Sequence, residues 1–324
     1  MKEQQRPIGP LTFATLGMFL VFLSWLTPPS GVASFRRTEK PPPQSDQTAV
    51  RLNVDLVVLH ATVQNHKRSF VSGLSKDGFQ VFEDGVQQQI DSFSHEDIPV
   101  TVGLVVDNSS SMRPKRAEVI AAALAFARSS NPDDQLFEVN FNERVSFGLP
   151  ADKPFADSPA ALATALSKIT ANGETALYDA VAVALDHLKM GNRDKKVLIV
   201  ISDGGDNASR HKLDQIMTMA KQTEAIVYTI GIFDEENIDK NPRVLRELAR
   251  DTGGEAFLPR SLEEVVPICE RIARDIRSQY TITYVPTNSN KDGKYRVVTV
   301  NVSAPPEGRL FVRTRAGYFA PSKS

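Results

Sequence analysis

Three short stretches of this 324-residue chain gather carboxylates and hydroxyls where apolar runs stop. Asp107-Asn108-Ser109-Ser110-Ser111 follows an apolar run at 100–106, and Ser202-Asp203-Gly204-Gly205-Asp206 follows Val197-Leu198-Ile199-Val200-Ile201. Between them, Gly173-Glu174-Thr175 stands immediately before a stretch with helical spacing. If the apolar runs are parallel strands, these loops lie beyond their carboxyl ends, where doubly wound sheets bind ligands. Hydroxyl and carboxylate oxygens collected there suit a hard divalent cation such as Mg²⁺, which takes about six oxygen ligands and keeps some of its waters. The same residue types are common in strand-to-helix turns, and Ser111 could simply cap the helix that follows Pro114. One such loop carries little weight. Three in order carry much more.

The elements that must hold these loops are legible in the apolar spacing. Val119, Ile120, Ala123, Leu124 and Ala127 recur at helical intervals after the first loop, and 136–141 reads as a strand. Leu162, Leu166 and Ile169 mark a helix, as do Leu177, Val181, Leu185 and Leu188. The run 197–201 is apolar throughout, as a central parallel strand covered on both faces must be. A helix at 213–221, a strand at 225–232, a helix at 243–250 and a long final helix at 262–276 continue the alternation. The expected fold is therefore α/β, with a doubly wound, mostly parallel sheet over residues 98–278.

Both flanks are β-rich. In 50–97, Asp84-Gly85 separates 79–83 from 86–93 as in a tight hairpin, and Asp77-Gly78 is a further turn dipeptide. In 279–324, Tyr280, Ile282 and Tyr284 alternate with Thr281, Thr283 and Val285, and 295–302 and 310–314 supply two more strands. Each flank is too short to stand alone. The expectation is that they pair into one small β-sandwich, with the α/β domain inserted between them.

Asp107-x-Ser109-x-Ser111, then Thr175, then Asp203 in Ile201-Ser202-Asp203-Gly204, resembles the metal-ion-dependent adhesion site of von Willebrand factor A domains, with no consensus position missing. The resemblance covers roughly 98–278 and includes the strand–helix order. The flanks extend it: Lys76-Asp77-Gly78-Phe79-Gln80-Val81-Phe82-Glu83-Asp84-Gly85 and Arg315-Ala316-Gly317-Tyr318-Phe319 are similar to a bacterial envelope family, the von Willebrand factor A-related acidobacterial domain. For the site, Ser109, Ser111 and Thr175 read as neutral direct ligands. The resemblance implies that Asp107 and Asp203 act mostly through bound water, orienting those hydroxyls. Mg²⁺, Mn²⁺ and Ca²⁺ all remain open. An ion held this way is under-neutralised, so an Asp or Glu carboxylate of a protein partner can complete its shell.

The ends of the chain concern location. Lys2 and Arg6 precede a stretch without charge that lasts until Arg36, with an apolar centre at 11–26. Pro28-Pro29 break it, and Gly31-Val32-Ala33 has the small-x-small form of a cleavage site. Residues 1–33 thus read as a cleaved signal peptide or an N-terminal anchor, and 34–49, with Pro41-Pro42-Pro43, as a linker. Either way the rest of the chain is expected to be exported, to the periplasm, the envelope or beyond. A net charge of -1 gives no footprint for nucleic acid. The single cysteine, Cys269, aligns with Val265, Ile272 and Ile276 on a buried helical face, so packing explains it.

Other motifs offer little. Asn288, Asn290, Asp292 and Gly293 mimic the start of an EF-hand loop, but its twelfth position is Thr299, and a β-hairpin turn is expected there. Asp179 should fix a helix N-terminus and Asp206 a Gly-rich turn. His60, His66, His95, His187 and His211 show no H-E-x-x-H pattern, and neither a G-x-S-x-G elbow nor a phosphate-binding Gly motif exists. The leading expectation is a non-enzymatic, metal-dependent protein–protein interaction in adhesion, envelope assembly or sensing. The alternatives are a structural envelope protein whose metal only stabilises the fold, and a metal-assisted hydrolase.

Overall fold

The computed structural model describes residues 55–168, 170–233, 240–304 and 308–322. The expected signal or anchor segment, the linker, the first residues of the N-terminal flank (50–54) and Ile169 lie outside the described residues. Among the described residues no helix is long and apolar enough to cross a membrane.

The N-terminal flank forms β1 (Val57–Asn65), β2 (Phe79–Glu83), β3 (Val86–Gln88) and β4 (Ser92–Ser94). The α/β region follows with β5 (Val100–Asp107), α1 (Arg116–Ser129), β6 (Gln135–Phe141), β7 (Val145–Ser146), α2 (Pro159–Ser167) and α3 (Leu177–Leu188). It continues with β8 (Lys195–Ser202), α4 (Leu213–Thr223), β9 (Ile226–Gly231), α5 (Pro242–Thr252), β10 (Ala256–Phe257) and α6 (Val265–Arg277). The C-terminal flank adds β11 (Tyr280–Tyr284), β12 (Tyr295–Val302), β13 (Leu310–Arg313) and β14 (Gly317–Phe319).

The central sheet has the order β10-β9-β8-β5-β6-β7. Its strands are parallel except β7, which runs antiparallel to β6. Val197 to Ile201 of β8 are wholly buried because helices cover both faces. Burying each such side chain contributes about 1.5–3 kcal/mol. One face packs on α1, α2 and α6, through residues such as Phe126, Leu162 and Ile272. The other packs on α3, α4 and α5, through Leu185, Ile216 and Leu248. From β5 the chain first builds outward through α1 to β6, then crosses back to place β8 on the other side of β5. The ends of β5 and β8 thus define the topological switch point.

The two flanks interleave. One antiparallel sheet has the order β13-β1-β11-β4 and the other β14-β12-β2-β3, so each draws strands from both ends of the chain. Their inward side chains form one core that includes Leu59, Val81, Ile282 and Val300. The fold expected from sequence, a mostly parallel α/β sheet between flanks that pair with each other, is the one observed. Asp84 and Gly85 both take positive φ (48° and 82°), the conformation of a two-residue hairpin turn, and β2 pairs with β3 across them.

Two local expectations fail. The stretch 86–93 is not one strand: β3 and β4 lie in different sheets, and buried Ile90 sits in the bend between them. The loop after β11 is not a hairpin turn either, because β11 and β12 also belong to different sheets. That crossover is held by buried Arg296, whose guanidinium donates to the main-chain oxygens of Asn288 and Asn290 and to Glu83.

The sandwich is fastened to the α/β region through α6. Fully buried Asp275 accepts a hydrogen bond from Thr62 Oγ1 of β1 (2.6 Å) and pairs with Arg313 of β13. Arg313 also reaches Glu255 at 2.8 Å.

Candidate metal centre

The switch point gathers the three polar loops. Asp107 ends β5 and is buried, with both carboxylate oxygens engaged. Oδ1 accepts from the main-chain N–H of Ser109 (2.8 Å), and Oδ2 accepts from Ser202 Oγ (2.7 Å). The first bond folds the loop back on itself, and the second ties the ends of β5 and β8 together. Past that turn, Ser109 Oγ and Ser111 Oγ lie 3.2 Å apart, and Ser111 Oγ donates to Asp203 Oδ2 (2.9 Å). Ser111 therefore reaches across to the next strand and does not cap α1, whose N-terminus has no side-chain cap.

Asp203 follows β8 directly, and its Oδ1 accepts from the main-chain N–H of Gly205 (3.1 Å). Gly204 lets this turn form: its φ is +78°, and a Cβ there would sit 2.4 Å from the main-chain oxygen of Asn241. The third loop is pinned on both sides of Glu174. Gly173 O accepts from both Ser110 N–H and Ser110 Oγ (3.1 and 3.0 Å). Thr175 N–H donates to Asn207 Oδ1 (2.8 Å), and Thr175 O accepts from the N–H groups of Asn207 and Ala208.

The result is an open cavity of about 210 Å³ lined by Ser109, Ser110, Ser111, Gly173, Glu174, Thr175, Asp203, Gly205 and Asn207. Four of the five residues singled out in the sequence line it. The fifth, Asp107, lies beneath, its oxygens turned to Ser109 and Ser202, where it orients and does not face the opening. The sequence alone assigns no role to Ser202 or Asn207. Ser202 adjoins Asp203 within the quoted stretch, so its place was visible, but its bond to Asp107 spans two strands.

The chemistry of this donor set fits a hard cation. Burial pushes the Asp107 carboxyl up to about 6, against hydrogen bonds from Ser109 and Ser202, and the nearby charge of Asp203 adds to the rise. A positive charge in the cavity above would favour the ionised form of the Asp107 carboxyl. Among the described residues no group of three or more His, Cys, Asp or Glu side chains could hold a metal ion, so a cation in this cavity would rely on its hydroxyls together with the carboxylates of Asp203 and Glu174. Such a lining suits Mg²⁺ or its hard relatives better than a soft transition metal.

The neighbouring acids exchange their expected roles. Asp206 Oδ1 accepts from Tyr178 N–H at the start of α3 (3.1 Å) and from Ser209 Oγ (2.6 Å), so Asp206 is the residue that fixes a helix N-terminus. Asp179, inside the first turn of α3, instead holds the loop at 210–211 through the N–H groups of Arg210 and His211 and the His211 ring. Cys269 is buried among the apolar residues of α6 and α1, and burial pushes its thiol up to about 12, as a packing role requires.

The sequence profile of the von Willebrand factor type A domain matches residues 102–205, which include Asp107, Ser109, Ser111, Thr175 and Asp203. An uncharacterized protein of Synechocystis sp. is 28% identical over 163 residues, covering 48% of this chain. The match spans only 37% of that relative's length. Among solved structures, a von Willebrand factor type A protein from Catenulispora acidiphila is similar in fold, with 15% identity and a TM-score of 0.50. That likeness covers 85% of this chain and 76% of the other. An aerotolerance-related membrane protein from Bacteroides fragilis is similar at 14% identity and a TM-score of 0.45, over 55% of this chain and 98% of that one.

Proposed function

The chain carries a von Willebrand factor type A domain, and from that premise we propose that it is a metal-dependent protein–protein interaction module acting outside the cytoplasm. The single observation that carries this reading is the convergence of Ser109, Ser111, Thr175 and Asp203 on one open cavity above Asp107. Ser109, Ser111 and Thr175 would hold a divalent cation, with Asp107 and Asp203 holding the hydroxyls and waters in place. The bound ion supplies an electrophilic anchor for a carboxylate. An Asp or Glu side chain of a partner protein is the ligand such an anchor selects.

The apolar stretch at 11–26 supports export, and adhesion, envelope assembly or sensing would follow from that location. The non-enzymatic reading rests on the lining. It offers two carboxylates and no histidine, lysine or cysteine; Asp203 is already engaged by Ser111 and Gly205, and Glu174 is exposed with nothing among the described residues holding its carboxylate in place. A general base poised beside a reacting atom is what a hydrolase would need.

The test is affinity capture from the native envelope with the full chain as bait, with Mg²⁺ or with EDTA, and with a Ser109→Ala bait in parallel. Partners that require both the ion and Ser109 support the proposal. Capture unchanged by EDTA and by the substitution overturns it. A second reading, in which the ion only braces the fold, draws on the Ser111–Asp203 and Ser202–Asp107 bonds that already join β5 to β8. In that case EDTA lowers the melting temperature and leaves capture intact.

A further inference from the structure

Glu174 lines the mouth of the cavity, is exposed, and among the described residues has neither a hydrogen-bond nor an ion-pair partner for its carboxylate. Resting on the cation-site reading above, we infer that Glu174 is a built-in competitor for the coordination position that a partner's carboxylate would take.

The backbone beneath this side chain is fixed and the side chain is not. Ser110 clamps Gly173 O on one side, and Asn207 and Ala208 clamp Thr175 on the other. Gly173 itself has φ +82°, a conformation that side chains rarely adopt, so the turn that presents Glu174 favours glycine. Glu174 is one residue from the Thr175 hydroxyl, about 3.8 Å between Cα atoms, and its side chain has three rotatable bonds. A tethered carboxylate at such range has an effective concentration on the order of millimolar or more, which free acids in solution rarely match.

The consequence concerns selectivity. A carboxylate oxygen outbids water on a hard cation, so the unbound domain holds its ion more firmly with Glu174 than without it. A partner's acid must displace Glu174, and only a partner that adds contacts around the rim overcomes that competition. Stray carboxylates are thereby refused. The Glu174→Gln substitution keeps the shape of the side chain and removes its charge.

The experiment uses the full chain with Mn²⁺ as the probe and acetate as the model carboxylate. Mn²⁺ affinity is read by calorimetry and the waters on the bound ion by water-proton relaxation. Glu174→Gln should weaken Mn²⁺ binding roughly fivefold, the scale of one screened charge near an ion. It should raise the relaxation enhancement by the share of one extra water, and acetate should lower that enhancement at several-fold lower concentration than in the unsubstituted chain. Equal affinity, relaxation and acetate sensitivity in the two proteins, with Mn²⁺ binding abolished by Ser109→Ala, would overturn the role of Glu174 and leave the cation site standing. Mn²⁺ binding that ignores Ser109→Ala would overturn both.

Discussion

Ser111 and Asp203, 92 residues apart in the chain, are joined by a 2.9 Å hydrogen bond from the serine hydroxyl to the aspartate carboxylate. This bond bridges the loops that leave β5 and β8, the two neighbouring strands at the switch point. It aligns a hydroxyl that would serve the cation with the acid that orients it. Ser111→Ala should therefore weaken Mg²⁺ binding at least tenfold, as removal of an orienting or ligating group does at metal sites. Without metal the same substitution should cost only about 1 kcal/mol, the net worth of one hydrogen bond. Calorimetric titration and metal-free denaturation separate the two effects. Unchanged Mg²⁺ affinity would remove Ser111 from the site.

Gly204 sets the direction of the chain after Asp203. With φ at +78° and the Asn241 oxygen 2.4 Å from where a Cβ would stand, alanine is both strained and crowded. Gly204→Ala should destabilise the fold by about 2 kcal/mol and shift the Asp203 carboxylate, so that Mg²⁺ affinity falls as well. Urea denaturation and cation titration check both. A variant with unaltered stability would show that the turn relaxes freely.

Asp275 links α6 to the sandwich through Thr62 and Arg313. Asp275→Ala leaves Arg313 with Glu255 as its remaining carboxylate and strips Thr62 Oγ1 of its acceptor. Breaking a buried pair from one side costs about 3–5 kcal/mol, and the retained Glu255 contact places the expected loss near the lower end, about 3 kcal/mol. Chemical denaturation measures it. A loss within experimental error would mean that the junction depends on apolar packing alone.

Lys195 opens β8 in a buried position, and burial pulls its pKa down to about 8 against the opposing carboxylates of Asp275, Asp97 and Asp134. Below about pH 8 the folded and unfolded chains both carry this proton. Between there and the ordinary value of 10.5 the unfolded chain binds more protons than the folded one. Stability conferred through Lys195 should accordingly rise with pH across that window, by up to about 3 kcal/mol. Lys195→Met removes this rise, so the difference in unfolding free energy between the two proteins should change with pH only above about pH 8. A constant difference from pH 7 to pH 10 would count against the depressed pKa.

The sequence by itself determined the local content of this protein. Apolar periodicity distinguishes strands from helices because a strand buried on both faces must be apolar throughout, as Val197 to Ile201 are, while a helix shows only one stripe. The stops of those runs pointed to Asp107, Ser109, Ser111, Thr175 and Asp203, since one polar turn at a strand end is ordinary while three in order are not. Asp84-Gly85 announced its hairpin through the positive φ that only a few residues tolerate.

What only the tertiary structure decided were relationships between distant residues. Strand partners leave no local mark, so nothing in 86–93 reveals that β3 and β4 join different sheets, and nothing in 285–294 reveals a crossover held by Arg296. The exchange of roles between Asp179 and Asp206 has the same origin: either acid can cap a helix, and the choice depends on which N–H groups the folded loops bring near. The Ser202–Asp107 bond exists only because β5 and β8 lie side by side, and the clasp of Asn207 on Thr175 only because the loop after β8 meets the loop before α3. Side-chain hydrogen bonds act over about 3 Å, and such proximity between residues far apart in the chain is created by the fold.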